Sequence, residues 1–174
     1  MAETKKKQAE ALKGVKQILM FRLLENKSKE SAQKLLFQVE HSNDMSADAD
    51  ATVTKDGNLN NEGAMEEEFT VSSILALGDE TADMLEEAMR ERKKVELWEI
   101  NTQDEADQNK FHGKYMQGLL TSFTRNANSE DYVELEFTYK VDLVPQIGEC
   151  TLTDEQVSVV QYPFRDTTPD IEEV

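Results

Sequence analysis

The chain has 174 residues, 38% of them hydrophobic, and a formal net charge of -17 from 36 acidic and 19 basic residues. That length suits one domain, and the charge excludes a protein that grips nucleic-acid phosphates or an anionic membrane, because no basic surface is left to displace counterions. The lone cysteine, Cys150, rules out an internal disulfide; no apolar run approaches the ~20 residues of a membrane-spanning helix, and the start at Lys5-Lys6-Lys7 has no signal-peptide segment behind it, so synthesis in the cytosol is expected.

Residues 1–14 are polar and lysine-rich and read as a flexible arm, either plainly mobile or clasping a neighbour. Ile18, Leu19, Met20, Phe21, Leu23 and Leu24 then form an apolar run with little alternation. It suits a strand covered on both faces, although a short buried helix has the same pattern. Leu35, Phe37 and Val39 alternate with Leu36, Gln38 and Glu40, the period of a half-buried strand. Residues 41–63 are small and acidic. They carry the tight-turn pair Asp56-Gly57 and a second turn cluster, Asn60-Asn61-Glu62-Gly63. So long a polar stretch between strands is a disordered loop or a projecting hairpin, and usually means function. Met65, Phe69 and Val71 alternating with Glu66, Glu68 and Thr70 mark the next strand.

Asp79 is a good N-cap for one helix over 79–92. Glu80 and Asp83 sit at its positive end, and Arg90, Arg92, Lys93 and Lys94 at its negative end. Ala82, Leu85 and Met89 share a face, with Met84 and Ala88 beside it. Val95, Leu97, Trp98 and Ile100 form a strand, and Asn101 to Asn109 reads as a polar loop. In the strand from Tyr115 to Phe123, the pattern puts Tyr115, Leu119 and Phe123 on one side and Met116 and Leu120 on the other. Gly118 marks a bulge or a close backbone approach. After a turn at Asn126-Ala127-Asn128-Ser129 comes the clearest alternation, Val133, Leu135, Phe137, Tyr139 and Val141 against Tyr132, Glu134, Glu136 and Thr138. Thr151 to Gln156 leads into Val157, Val159 and Val160, and the acidic end, residues 166–174, reads as loose. The chain is thus mainly β and antiparallel, with a single domain over 15–165.

Residues for chemistry are missing. His41 and His112 have no Cys or His at ligand spacing, so no metal is expected. Cys150 has no evident activating partner, and no glycine-rich phosphate loop occurs. Asp48-Ala49-Asp50-Ala51-Thr52 spells the aspartyl-phosphate phosphatase pattern but follows a polar segment, whereas that nucleophile closes an apolar strand. Asn26-Lys27-Ser28 is a glycosylation sequon by spelling only. In Glu66-Glu67-Glu68 only the first and third share a strand face, and a solvated face is the default reading. Neither an enzyme nor a cofactor is expected.

Several segments are similar, in order and spacing from about residue 15 to 168, to the major tail proteins of long-tailed, non-contractile phages of Gram-positive bacteria. They are Phe21-Arg22-Leu23-Leu24-Glu25-Asn26-Lys27, Val39-Glu40-His41-Ser42-Asn43, Thr54-Lys55-Asp56-Gly57-Asn58, Val95-Glu96-Leu97-Trp98-Glu99-Ile100, Thr151-Leu152-Thr153-Asp154-Glu155-Gln156 and Val160-Gln161-Tyr162. The resemblance implies a tail tube fold: an antiparallel β-sandwich or open barrel, one flanking helix and a long loop or hairpin reaching the next ring. It implies a virion protein, assembled as rings of six copies that stack around a channel. Partners implied are further copies of itself, a tape-measure protein, and tail terminator and distal tail proteins; DNA passes through without specific binding.

The charge fits such a role, since six copies would carry ~100 negative charges per ring, a lining to which phosphates do not adhere. Glu66, Glu68, Glu134 and Glu136 are the candidate channel residues, with solvent as the alternative view for each face. Asp44, Asp48, Asp50, Lys55, Asp56, Gly57 and Asn58 are the candidates for the reaching segment. The rival reading is an acidic interaction protein, such as a DNA mimic that blocks a nucleic-acid-binding enzyme.

Overall fold

The computed structural model describes residues 9–154, 156 and 167. Its elements are β1 (Gln17–Leu23), β2 (Gln33–Lys34), β3 (Gln38–Thr54), β4 (Gly57–Ile74), α1 (Glu80–Glu91), β5 (Val95–Asp107), β6 (Lys110–Asn126) and β7 (Glu134–Thr151). The strands form one antiparallel sheet in the order β2-β1-β5-β6-β7-β4-β3. This is the mainly β, one-helix architecture expected. Val157, Val159, Val160 and the segment Val160-Gln161-Tyr162 lie outside the described residues, as does most of the region assigned to the two ends.

The apolar run is strand β1, and it is buried on both faces. Leu19, Phe21 and Leu23 enter the main core, while Ile18 and Met20 enter a second cluster with Ile100, Phe111 and Leu152. The main core draws on β1, β4, β5, β6, β7 and α1 together, so the sheet wraps around it. The seam between the ends of the wrap is closed by a side chain. Gln38 at the start of β3 accepts from Leu19 N at 3.0 Å and donates to Leu19 O at 2.7 Å. Its amide thus meets β1 as a peptide unit of a neighbouring strand would.

The helix starts and stops where the sequence places it. Asp79 accepts from Thr81 N at 3.0 Å and Ala82 N at 3.3 Å, and Arg92 ends it in the left-handed conformation (φ 56). Ala82, Leu85 and Ala88 turn into the core. Gly118 is a close approach: a Cβ there would lie 1.9 Å from Lys140 O.

Four expectations are corrected. Leu35 is buried, but Phe37 (φ 47) turns the chain before β3 and is exposed, as is Val39. A left-handed residue breaks the period that alternation assumes. Asn101 to Asn109 is not a loop: β5 runs to Asp107 and only Gln108 and Asn109 turn. Asn60-Asn61-Glu62-Gly63 is not a turn but part of β4, beside a register shift between Ala47 and Ala49. Phe123 lies on the side of Met116 and Leu120, because a bulge between Leu120 and Ser122 reverses the parity of β6.

Candidate assembly surfaces

Cross-strand partners share a sheet face, so the register assigns the acidic residues directly. On β4 and β7 the pairs Glu68↔Lys140, Thr70↔Thr138, Ser72↔Glu136 and Ile74↔Glu134 lie on one face. The neighbouring β3 adds Glu40↔Ser72, Ser42↔Thr70, Asp44↔Glu68 and Ser46↔Glu66, and β6 adds Ser122, Thr124 and Asn126. The opposite face of the same strands carries Phe69, Val71, Leu135, Phe137 and Tyr139, all in the core. The result is a four-stranded polar face, from β3 to β6. On it Glu40, Asp44, Glu66, Glu68, Glu134 and Glu136 surround one lysine, Lys140, whose Nζ is 3.4 Å from Glu66.

All four sequence candidates for a channel lining, Glu66, Glu68, Glu134 and Glu136, therefore stand together on this face. Asp44 joins them. Asp44 and Glu68 are directly opposed, a like-charge pair that costs a few tenths of a kcal/mol to about 1 kcal/mol. Glu67, one residue away, points inward and is buried, taking a hydrogen bond from the Asn43 side-chain amide at 2.8 Å.

Residues 41–63 form most of a long hairpin. It closes at Lys55 and Asp56, with Gly57 at φ 130, where a side chain would be strained. Asp48, Asp50, Lys55, Asp56, Gly57 and Asn58 all lie in its exposed outer part. The hairpin has two unlike faces. Met45, Ala47, Ala49, Ala51 and Val53 share one face with Met65; Met45, Val53 and Met65 are large apolar side chains left exposed. Asp44, Ser46, Asp48, Asp50 and Thr52 lie on the other. Gly63 lets the strands approach at the register shift, since a Cβ there would be 2.1 Å from Asp48 O. The outer edge of β3 pairs with no strand of the described chain.

At the hairpin's base His41 Nε2 is 3.1 Å from Glu99 Oε1 on β5. That hydrogen bond pulls the Glu99 pKa down against the opposing effect of burial, and Lys114 adds to the pull. On the far side of β1 and β5 the buried Glu96 accepts from Arg22 Nε at 2.5 Å and Tyr115 OH at 2.6 Å, and the Arg22 guanidinium stacks over Trp98. Sequence alone missed these pairings, which join residues 58 or more apart in two of the three cases. His112 is 3.0 Å from Asp104, and Cys150 packs against the second cluster, where burial raises its pKa. Among the described residues no three His, Cys, Asp or Glu side chains converge as for a metal, and no helix is long and apolar enough to cross a membrane.

Comparison with known proteins agrees with this layout. Residues 11–147 match the family model described as phage tail tube protein. A chain named as a tail protein in Staphylococcus phage phiMR25 is 32% identical over 157 residues, covering 87% of this chain and 80% of that one. Among solved structures, the SPP1 tail tube superposes with a TM-score of 0.71 at 16% identity, covering 92% of this chain and 96% of the other. The tail of an empty gene transfer agent particle, a C6-symmetric assembly, gives 0.63 at 9% identity, covering 79% and 99%. By the extent of the family match and the identity to the phiMR25 chain, this protein belongs to the phage tail tube family, structural subunits of the virion's tail.

Proposed function

We propose that six copies join into a ring, as the C6 symmetry of the gene transfer agent tail suggests, and that rings stack into a tube whose bore is lined by the β3-β4-β7-β6 face. The observation that carries this reading is that face itself. A polar surface of six carboxylates and one lysine on a four-stranded face, with one like-charge pair, Asp44 and Glu68, directly opposed, lowers the stability of a free subunit. It makes sense as the wall of a channel. Phosphates find no counterion-releasing partner there, so DNA slides without adhering.

Glu66, Glu68, Glu134 and Glu136 are the lining residues, and Asp44 belongs with them rather than with the reaching segment. The outer hairpin, with Asp48, Asp50, Lys55, Asp56, Gly57 and Asn58, extends to the next ring and lays its Met45–Val53 apolar face on that neighbour. The free β3 edge is open to pairing with another copy, where a subunit meant to stay alone would protect it. Tubes of this kind are built in the host cytoplasm on a tape-measure protein and closed by terminator and distal tail proteins. A DNA mimic would present its acids on a compact surface and has no use for an exposed amphipathic hairpin.

Replacing Glu134 and Glu136 with lysine tests the lining. Particles should assemble tails of normal appearance by electron microscopy and lose most of their genome ejection. Normal infectivity of that double variant would place the face outside the bore.

A further inference from the structure

The second half of β7 carries a feature that the fold does not explain. Its register against β6 jumps from Tyr115↔Gln146 to Gln117↔Asp142, so Leu143, Val144 and Pro145 together oppose Met116. Leu143 is held at φ 57, a conformation unfavourable to a leucine, and is 92% exposed. Val144 and Ile147 are exposed beside it. Backbone strain is spent on holding an apolar knob in water.

An apolar hollow of the same chain lies at the seam of the sheet. Gly14, Val15, Ile18, Leu36, Phe37 and Val39 line a groove of about 600 Å³ between the start of β1 and the start of β3, room for several aliphatic side chains. Val15, Phe37 and Val39 are exposed there. The positions of knob and groove suit a head-to-tail contact. Around the wrapped sheet β7 is three strands from β1 and two from β3, and so stands across the subunit from the seam. The register links Met116 through Leu97 to Phe21, next to the Met20↔Lys34 pair at the groove's end, so knob and groove are at similar height along the strands.

The groove's lining includes the cation Lys34, in a chain of net charge -17, together with Glu40 and His41. Burial lowers the Lys34 pKa. Past Lys140 the charged residues of β7 are Asp142 and Glu149, and Asp142 is paired with Lys94.

We propose that the Leu143-Val144-Pro145 knob of each copy seats in the seam groove of the next copy around the same ring. A contact between two different patches on opposite sides of a subunit generates rings when the rotation closes. The inference rests on the tail tube reading and adds the lateral partner surfaces to it.

Cross-linking separates the two. Phe37→Cys and Leu143→Cys are combined in a Cys150→Ala background, tubes are assembled, and a short bis-maleimide is applied. A ladder of covalent multimers that stops at six is expected, and none from either single variant. Tubes that yield only monomers, or a ladder that climbs past six, overturn the contact and leave the tube reading standing. A natural-sequence chain that forms no tubes at all sinks the tube reading. As a second measurement, Leu143→Asp should abolish assembly while the thermal unfolding midpoint stays put, because the side chain is already in water. Assembly at the natural level by that variant also overturns the knob.

Discussion

In its lower part, where β3 residues 38–46 face β4 residues 66–73, the long hairpin alternates strictly on β4. Phe69 and Val71 reach the core, while Glu68 and Thr70 face outward. In its upper part, residues 47–65, the same ladder of backbone bonds carries side chains exposed on both faces. The lower half is held by burial and the upper half by hydrogen bonds alone, and a two-stranded ribbon without a covered face is marginally stable in water. The tip is therefore ordered by its base, and the proposed contact with the next ring would give it its use. Truncating the lower half should cost global stability, and altering the upper half should cost assembly.

The largest effect expected is at Phe69. It is fully buried among β4 and β7 residues, and Phe69→Ala should destabilise the subunit by about 3–5 kcal/mol in urea unfolding followed by Trp98 fluorescence. The matching change in the tip, Met65→Ala, should alter it by less than about 0.5 kcal/mol. Equal losses would mean that the two halves unfold as one unit packed alike.

The two glycines sharpen the same contrast, because each faces the same kind of clash. A Cβ at Gly118 would strike the Lys140 carbonyl in the middle of the sheet, and one at Gly63 would strike the Asp48 carbonyl in the tip. Gly118→Ala should cost about 3 kcal/mol or more, since neither β6 nor β7 can move without disturbing the core. Gly63→Ala should cost under about 1 kcal/mol, because the tip can splay locally. A global loss at Gly63 as large as that at Gly118 would break the distinction.

What could be read from the sequence divides along the same line. Where burial decides structure, the residues announced it: the alternation of Leu135, Phe137 and Tyr139, the cap at Asp79 and the apolar β1 all stand as expected. Where hydrogen bonding decides without burial, polarity misled. Residues 102–107 and 57–63 carry no apolar period, yet both extend strands, because a ladder bond needs a neighbouring backbone and not a hydrophobic side chain. The acidic face was legible as two Glu-x-Glu pairs, but its unity was not. Register alone joins Glu68 to Asp44 and Lys140, and register is set by bulges at Val39, at Gly63-Ala64 and at Thr121 that alternation cannot show. The Leu143 knob was invisible for a similar reason, since nothing in Val-Asp-Leu-Val-Pro marks a left-handed leucine.

Shortening the hairpin tests the tip directly. With residues 48–64 exchanged for Asn-Gly, a pair that favours the tight turn, the subunit should unfold within about 1 kcal/mol of the natural chain. Stacked tubes should be absent by electron microscopy. Tubes of normal length from the shortened chain would show that the tip does not join rings.

The smallest effect belongs to the boundary between the halves, where His41 on β3 meets Glu99 on β5. The hydrogen bond holds the Glu99 pKa below that of a free glutamate, so the folded state binds this proton less readily than the unfolded chain does. The resulting stability is present above the unfolded glutamate value and is lost as pH falls through the lower folded value. Glu99→Gln should therefore cost about 1 kcal/mol near neutral pH, where the ionised carboxylate is the better acceptor. The gap between the two proteins should close steadily below about pH 4. Urea unfolding of both chains across that range gives the gap at each pH. A gap that persists unchanged into acid would mean that Glu99 stabilises this junction by packing rather than by charge, and that the His41 contact does not fasten the hairpin's base.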